Sequence, residues 1–141
     1  MAHAHIIGRV LLRLERPGMS KVDNRRKGFA GEEKAADYLR ELGYTILEQN
    51  WCCKMGELDI VALDREALVF VEVKSRQDTA YGLPLQAVND YKQRQIIKAA
   101  LGYIKSKGII DKDVRFDVVS INGEDIELIE NAFQSDGRYR Y

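Results

Sequence analysis

Residues 67–75, ALVFVEVKS, do most to limit what this chain can fold into. Six of the nine are apolar and fall on both parities of the segment. A strand here must therefore be covered on both faces and belongs in the middle of a sheet. The same strand carries Glu72 and Lys74, and the preceding run, GELDIVALD at residues 56–64, carries Glu57 and Asp59. A charge in a low-dielectric interior costs several kcal/mol unless it is paired or binds a metal. Three carboxylates and a lysine among buried strands therefore call for a chemical reason.

The other segments build one domain around this hairpin. The chain has 141 residues, 45% hydrophobic and 31% charged, an ordinary composition for a soluble domain that needs no disulfide or metal staple. The spacing predicts a helix over 26–42, with Ala30, Ala35, Tyr38, Leu39 and Leu42 on its apolar face and Gly43 as its stop. YTILEQNWCC reads as a strand and QDTAYGLPL as a loop. A second helix is predicted over 85–107, turning Val88, Tyr91, Ile96, Ile97, Ala100, Leu101 and Ile104 one way and exposing Lys92, Arg94, Lys98, Lys105 and Lys107. VRFDVVSI and DIELIENAF are two further strands about the turn NGED. The order α-β-β-β-α-β-β gives an α/β fold: an antiparallel meander, then a strand added by a helical crossover. Residues 1–20 read as an extension, a loosely held arm or residues ahead of a native start at Met19; 21–134 form the domain and 135–141 a tail.

Side chains alternate along a strand, so Glu72 and Lys74 share one face. Glu57 and Asp59 share a face of the neighbouring strand, and Asp59 can lie across from Glu72. Two carboxylates ~4 Å apart repel by about 4 kcal/mol at an effective dielectric of 20. A proton, a lysine or a divalent cation can relieve that repulsion, and Glu32 on the first helix is a candidate further carboxylate. The two histidines, His3 and His5, sit near the start of the chain, and the two cysteines, Cys52 and Cys53, are adjacent. This pattern fits no zinc motif and weakens histidine-based catalysis. Oxygen-only ligands suit Mg²⁺ or Mn²⁺. Such an ion can lower the pKa of a bound water and stabilise charge on a phosphodiester. Lys74 beside it can orient the water or neutralise developing charge, and no protein nucleophile is required.

The pattern Asp59 … Glu72-Val73-Lys74 resembles the PD-(D/E)xK signature of restriction-endonuclease-like nucleases. More widely, GFAGEEKAADYLRELGYTIL, GELDIVALD, LVFVEVKSR, YGLPLQAV, YKQRQI and RFDVV resemble the YraN-like family of uncharacterised bacterial proteins, itself similar to archaeal Holliday-junction resolvases. The match runs from about Gly28 to Phe133. The resemblance implies a restriction-endonuclease-like αβββαβ core within a mixed five-stranded sheet flanked by helices. It implies a catalytic set of Glu32, Asp59, Glu72 and Lys74, and metal ligands Asp59, Glu72 and the Val73 carbonyl. Ser75 stands where threonine is common in that family. The resemblance also implies a two-fold dimer acting on DNA, possible substrates being branched or otherwise structured molecules.

Two functions are therefore expected as rivals: an Mg²⁺-dependent DNA endonuclease, and a non-catalytic nucleic-acid-binding or partner-recruiting module that keeps the nuclease fold. Net charge is zero, yet residues 84–110 hold five basic groups against one acidic group. Arg76, Lys92 and Arg94 are the candidate phosphate contacts. Arg115 and Asp117 share a strand face and read as a structural ion pair. On an edge strand, Glu72 and Lys74 would be no more than a solvated pair. Glu33 and Glu57 read as solvated charges. No apolar run approaches the ~20 residues of a membrane span, so no membrane partner is expected, and the default compartment is the reducing cytoplasm.

Overall fold

The computed structural model describes residues 24–75 and 88–135. The N-terminal extension, Arg76, the expected loop and the tail from residue 136 lie outside the described residues. The elements run α1 (Asn24–Glu41), β1 (Thr45–Cys53), β2 (Gly56–Asp64), β3 (Ala67–Ser75), α2 (Asp90–Lys107), β4 (Val114–Asn122) and β5 (Asp125–Phe133). The sheet order is β1-β2-β3-β4-β5. Only the β3–β4 pair is parallel, with α2 as its crossover; the other three pairs are antiparallel. The expected α/β fold with a mixed five-stranded sheet is the one found, with β3 at its centre.

Both helices end in the same way. After α1, Gly43 takes a φ of 95°; its N–H donates to the Arg40 carbonyl at 3.0 Å, and Tyr44 N–H donates to the Leu39 carbonyl at 2.9 Å. After α2, Gly108 at φ 63° donates to Lys105 O, and Ile109 N–H donates to Ile104 O at 3.1 Å. These paired bonds form a Schellman motif, which favours glycine because a Cβ resists positive φ. α1 ends one residue earlier than expected, so Leu42 leaves the apolar face and is 49% exposed. α2 starts at Asp90 because Asn89 caps it: the Asn89 side chain accepts the Lys92 N–H at 2.9 Å. Tyr91, expected on the packed face, lies in that first turn and is exposed.

The helices lie on opposite faces of the sheet. Ala35, Ala36 and Leu39 of α1 pack on Ile60, Ala62, Val69, Val71 and Val119. Small residues let that helix approach closely. On the other face, Ile96, Ala99, Ala100, Tyr103 and Ile104 of α2 cover a larger core. Five rings cross that core in sequence: Trp51, Tyr103, Phe70, Phe116 and Phe133, with successive centroids 5.3, 5.8, 5.7 and 5.0 Å apart. Each such pair contributes about 0.5–1.5 kcal/mol beyond its buried area. Lys107, expected on the wet face, is instead covered. Its ammonium lies 3.7 Å from Glu48 and 5.6 Å from the Tyr103 ring centroid. Burial, with Glu48 beside it, pushes the Tyr103 hydroxyl pKa up.

Candidate functional site

The β2–β3 register pairs Ile60 with Val71, Val61 with Phe70 and Ala62 with Val69. Continued by one residue, it sets Asp59 opposite Glu72, as the alternation predicts. The local backbone, however, is not a plain ladder. Ile60 and Ala62 face α1, and Val61 and Leu63 face α2. Leu58 should side with Ile60 but packs in the α2 core. The alternation therefore slips at Asp59. On the neighbouring strand Gln49 pairs with Ile60 and Trp51 with Leu58, and the residue between them, Asn50, has a left-handed φ of 53°. Asn tolerates this conformation better than most residues.

The slip brings the Asp59 carboxylate to the backbone of β3, where Oδ2 accepts the Val73 N–H at 2.9 Å. Glu72, beside it, is 5% exposed on the central strand, which removes the edge-strand reading. Burial first, and then the charge of Asp59, raise the Glu72 carboxyl well above the usual carboxylate range. Lys92 and Lys74 offset part of that shift. Lys92 reaches Glu72 from the first turn of α2, with Nζ 3.7 Å from Oε1. Glu32 enters from α1: burial and then Asp59 push its carboxyl up to about 7, against a lowering hydrogen bond from Asn50.

The structure thus gathers Glu32, Asp59, Glu72 and Lys74 at one end of the β2–β3 hairpin. It adds Lys92, expected to meet phosphate, as the ionic partner of Glu72. Arg94 is exposed two residues further along α2, about 200° around the helix from Lys92. Glu57 and Glu33 are exposed, as expected. Sequence reasoning missed Asn50; its one signal was an asparagine inside a strand otherwise suited to β structure. Among the described residues, no three His, Cys, Asp or Glu side chains converge as a ready-made metal cage. Mg²⁺ does not need one, since it commonly takes one or two carboxylates and completes its shell with water and substrate phosphates. Asp59 and Glu72 offer the two carboxylates that an ion of that kind takes.

A second polar cluster lies toward the other end of the hairpin. Asp117 is fully buried and accepts from Arg115 Nε at 2.8 Å, from the Tyr44 hydroxyl at 3.0 Å and from the Asn131 N–H at 2.9 Å. Arg115 also pairs with Asp64 at 2.9 Å. The predicted Arg115–Asp117 ion pair is present, and it is part of a larger structural network. With Asp117 as partner, the Arg115 guanidinium holds its proton more firmly, and burial beside Asp117 likewise raises the Tyr44 hydroxyl pKa.

These features define an α/β protein with a mixed central sheet and a carboxylate–lysine cluster at the end of its middle strands. Residues 31–121 match the uncharacterised protein family UPF0102, and the chain belongs to that family. It is 50% identical over 115 residues to a UPF0102 protein of Syntrophus aciditrophicus, covering 79% of this chain and 91% of that relative. It is 48% identical over 116 residues to one of Geobacter sulfurreducens, with the same coverage. It is 43% identical over 122 residues to one of Caldanaerobacter subterraneus, covering 82% of this chain and all of that relative. Among the described residues, no helix is long and apolar enough to cross a membrane.

Proposed function

We propose that this protein is an Mg²⁺- or Mn²⁺-dependent DNA endonuclease of the PD-(D/E)xK type, as the YraN-like resemblance implies. The supporting observation is the buried Glu72 set against Asp59 on adjacent central strands, with Glu32 and two lysines around them. The fold could have placed apolar side chains there at no electrostatic cost.

A divalent cation bound by Asp59, Glu72 and the Val73 carbonyl would supply a water of lowered pKa and charge stabilisation for a phosphodiester. The protein's own groups then have defined tasks. The Val73 N–H fixes the Asp59 carboxylate. Glu32, on α1 beside Asp59, is placed to take a proton from water. Lys74, two residues from Glu72, neutralises charge developing on the phosphodiester oxygens. Asn50 holds Glu32 by a hydrogen bond.

The test is cleavage of branched, flapped and linear DNA with Mg²⁺ or Mn²⁺ by the wild type, Asp59→Ala and Lys74→Ala. Loss of cleavage in both variants supports the reading, and equal cleavage by all three rejects it. Zero net charge and membership of an uncharacterised family motivate a second reading, a non-catalytic module that binds nucleic acid or recruits a partner. Junction binding without cleavage under any divalent metal would select it.

A further inference from the structure

Lys92 stands apart from the other basic residues of α2. Asn89 pins its backbone through the N-cap bond, which fixes where its side chain begins. From there the ammonium reaches across to β3 and stops 3.7 Å from Oε1 of Glu72. Glu72 is almost fully covered, whereas the Lys92 side chain is 41% exposed. The positive charge therefore sits on the solvent side of a buried carboxylate. The other oxygen-bearing neighbour, Asp59, is turned onto the Val73 amide.

We infer that Lys92 is a tethered cation that occupies the approach to Glu72 and must swing away before a divalent ion can bind there. This rests on the cation-site reading above and adds a control to it. An ammonium on a flexible four-carbon stem can leave without disturbing the helix. A divalent ion at Glu72 would repel it with twice the force of a single charge. The displaced ammonium then faces the mouth of the site, where a substrate phosphate would meet it. Ion binding and phosphate binding become coupled through one side chain, and that coupling acts equally in both directions.

Removing the lysine has two opposing effects. Glu72 holds a proton more tightly, which hinders the ion, but the ion no longer meets a positive charge. The second effect prevails because the ion carries twice the proton's charge. The test is Mn²⁺ binding to the full chain by calorimetry at pH 8.5, comparing the wild type with Lys92→Gln and with Lys105→Gln as a control for general charge loss. Lys92→Gln should bind Mn²⁺ roughly tenfold more tightly, and the control should change less than about twofold. Asp59→Asn should abolish binding in either background. In protein labelled at the lysine ε-carbons, the Lys92 signal should shift on adding Mg²⁺ while that of Lys105 stays in place. If the wild type binds Mn²⁺ and Lys92→Gln binds no tighter, the role of Lys92 is overturned and the site stands. If neither protein binds, the cation site falls, and this inference with it.

Discussion

The Val73 amide donates to Asp59 Oδ2 at 2.9 Å, just past Ile60–Val71, the last recorded pair of the β2–β3 ladder. An interstrand position that could carry a backbone bond is thus given to a side chain. This anchors one carboxylate beside a second, Glu72, that is buried. The arrangement is costly without a cation or a proton, and it fixes the site to the central strands of the sheet.

Asp59→Ala separates function from stability. The change frees the Val73 amide, a partly buried donor, at a cost of about 1–3 kcal/mol. It also removes the repulsion with Glu72, an offset of similar size. Urea unfolding should therefore show a net change within about 1.5 kcal/mol, while any metal-dependent cleavage drops at least a hundredfold. A loss of several kcal/mol would mean that Asp59 is chiefly structural.

Stability should fall as pH rises. Glu32 and Glu72 have folded-state proton affinities above the ordinary carboxylate value of 4.5, Glu32 at about 7. Above about pH 4.5 the folded protein then holds more protons than the unfolded chain, and stability declines with pH until both groups are ionised. The thermal midpoint should drop between pH 5 and pH 9. Glu72→Gln, which cannot ionise, should flatten the decline and lift the midpoint at pH 9 by roughly 5 °C. Mg²⁺ should recover part of the loss in the wild type. Scanning calorimetry across this range would show parallel curves if the carboxyls were solvated.

The Asp117 network should be structural in effect. Asp117→Ala leaves Arg115, the Tyr44 hydroxyl and the Asn131 amide without their shared acceptor. The expected loss is about 3–5 kcal/mol. Tyr44→Phe removes a hydroxyl that donates to Asp117 at 3.0 Å and accepts from Arg115 at 2.6 Å, and should cost about 1–3 kcal/mol. Denaturant melts would check both, and Mn²⁺ affinity in Tyr44→Phe should match the wild type.

Asn89→Ala should cost about 1 kcal/mol through loss of the α2 cap. It should also loosen the first turn that carries Lys92. Amide exchange of residues 90–93 would then speed up ahead of the rest of the helix.

The sequence by itself determined the architecture. ALVFVEVKS has apolar residues on both faces, so it had to become a central strand with layers above and below, and β3 is that strand. Gly43 ended the first helix because a turn needing positive φ favours glycine. The short turn between β2 and β3 makes the strands neighbours, so Asp59 can lie across from Glu72. Local rules fell short where the decisive contact came from a distant element. The slip at Asp59, beside the left-handed Asn50, breaks period two, so alternation alone does not show it. Lys107 reads as exposed on the helix wheel, but Glu48 of β1 pairs with it, above the ring of Tyr103 one turn back on α2. Lys92 reads from the sequence as an exposed helix lysine and a candidate phosphate contact, yet the packing of α2 on the sheet brings it to Glu72. Residue types and their spacing specify strands, helices and the faces they bury. Which charges meet depends on how those elements cross, and that is decided only when the whole core packs.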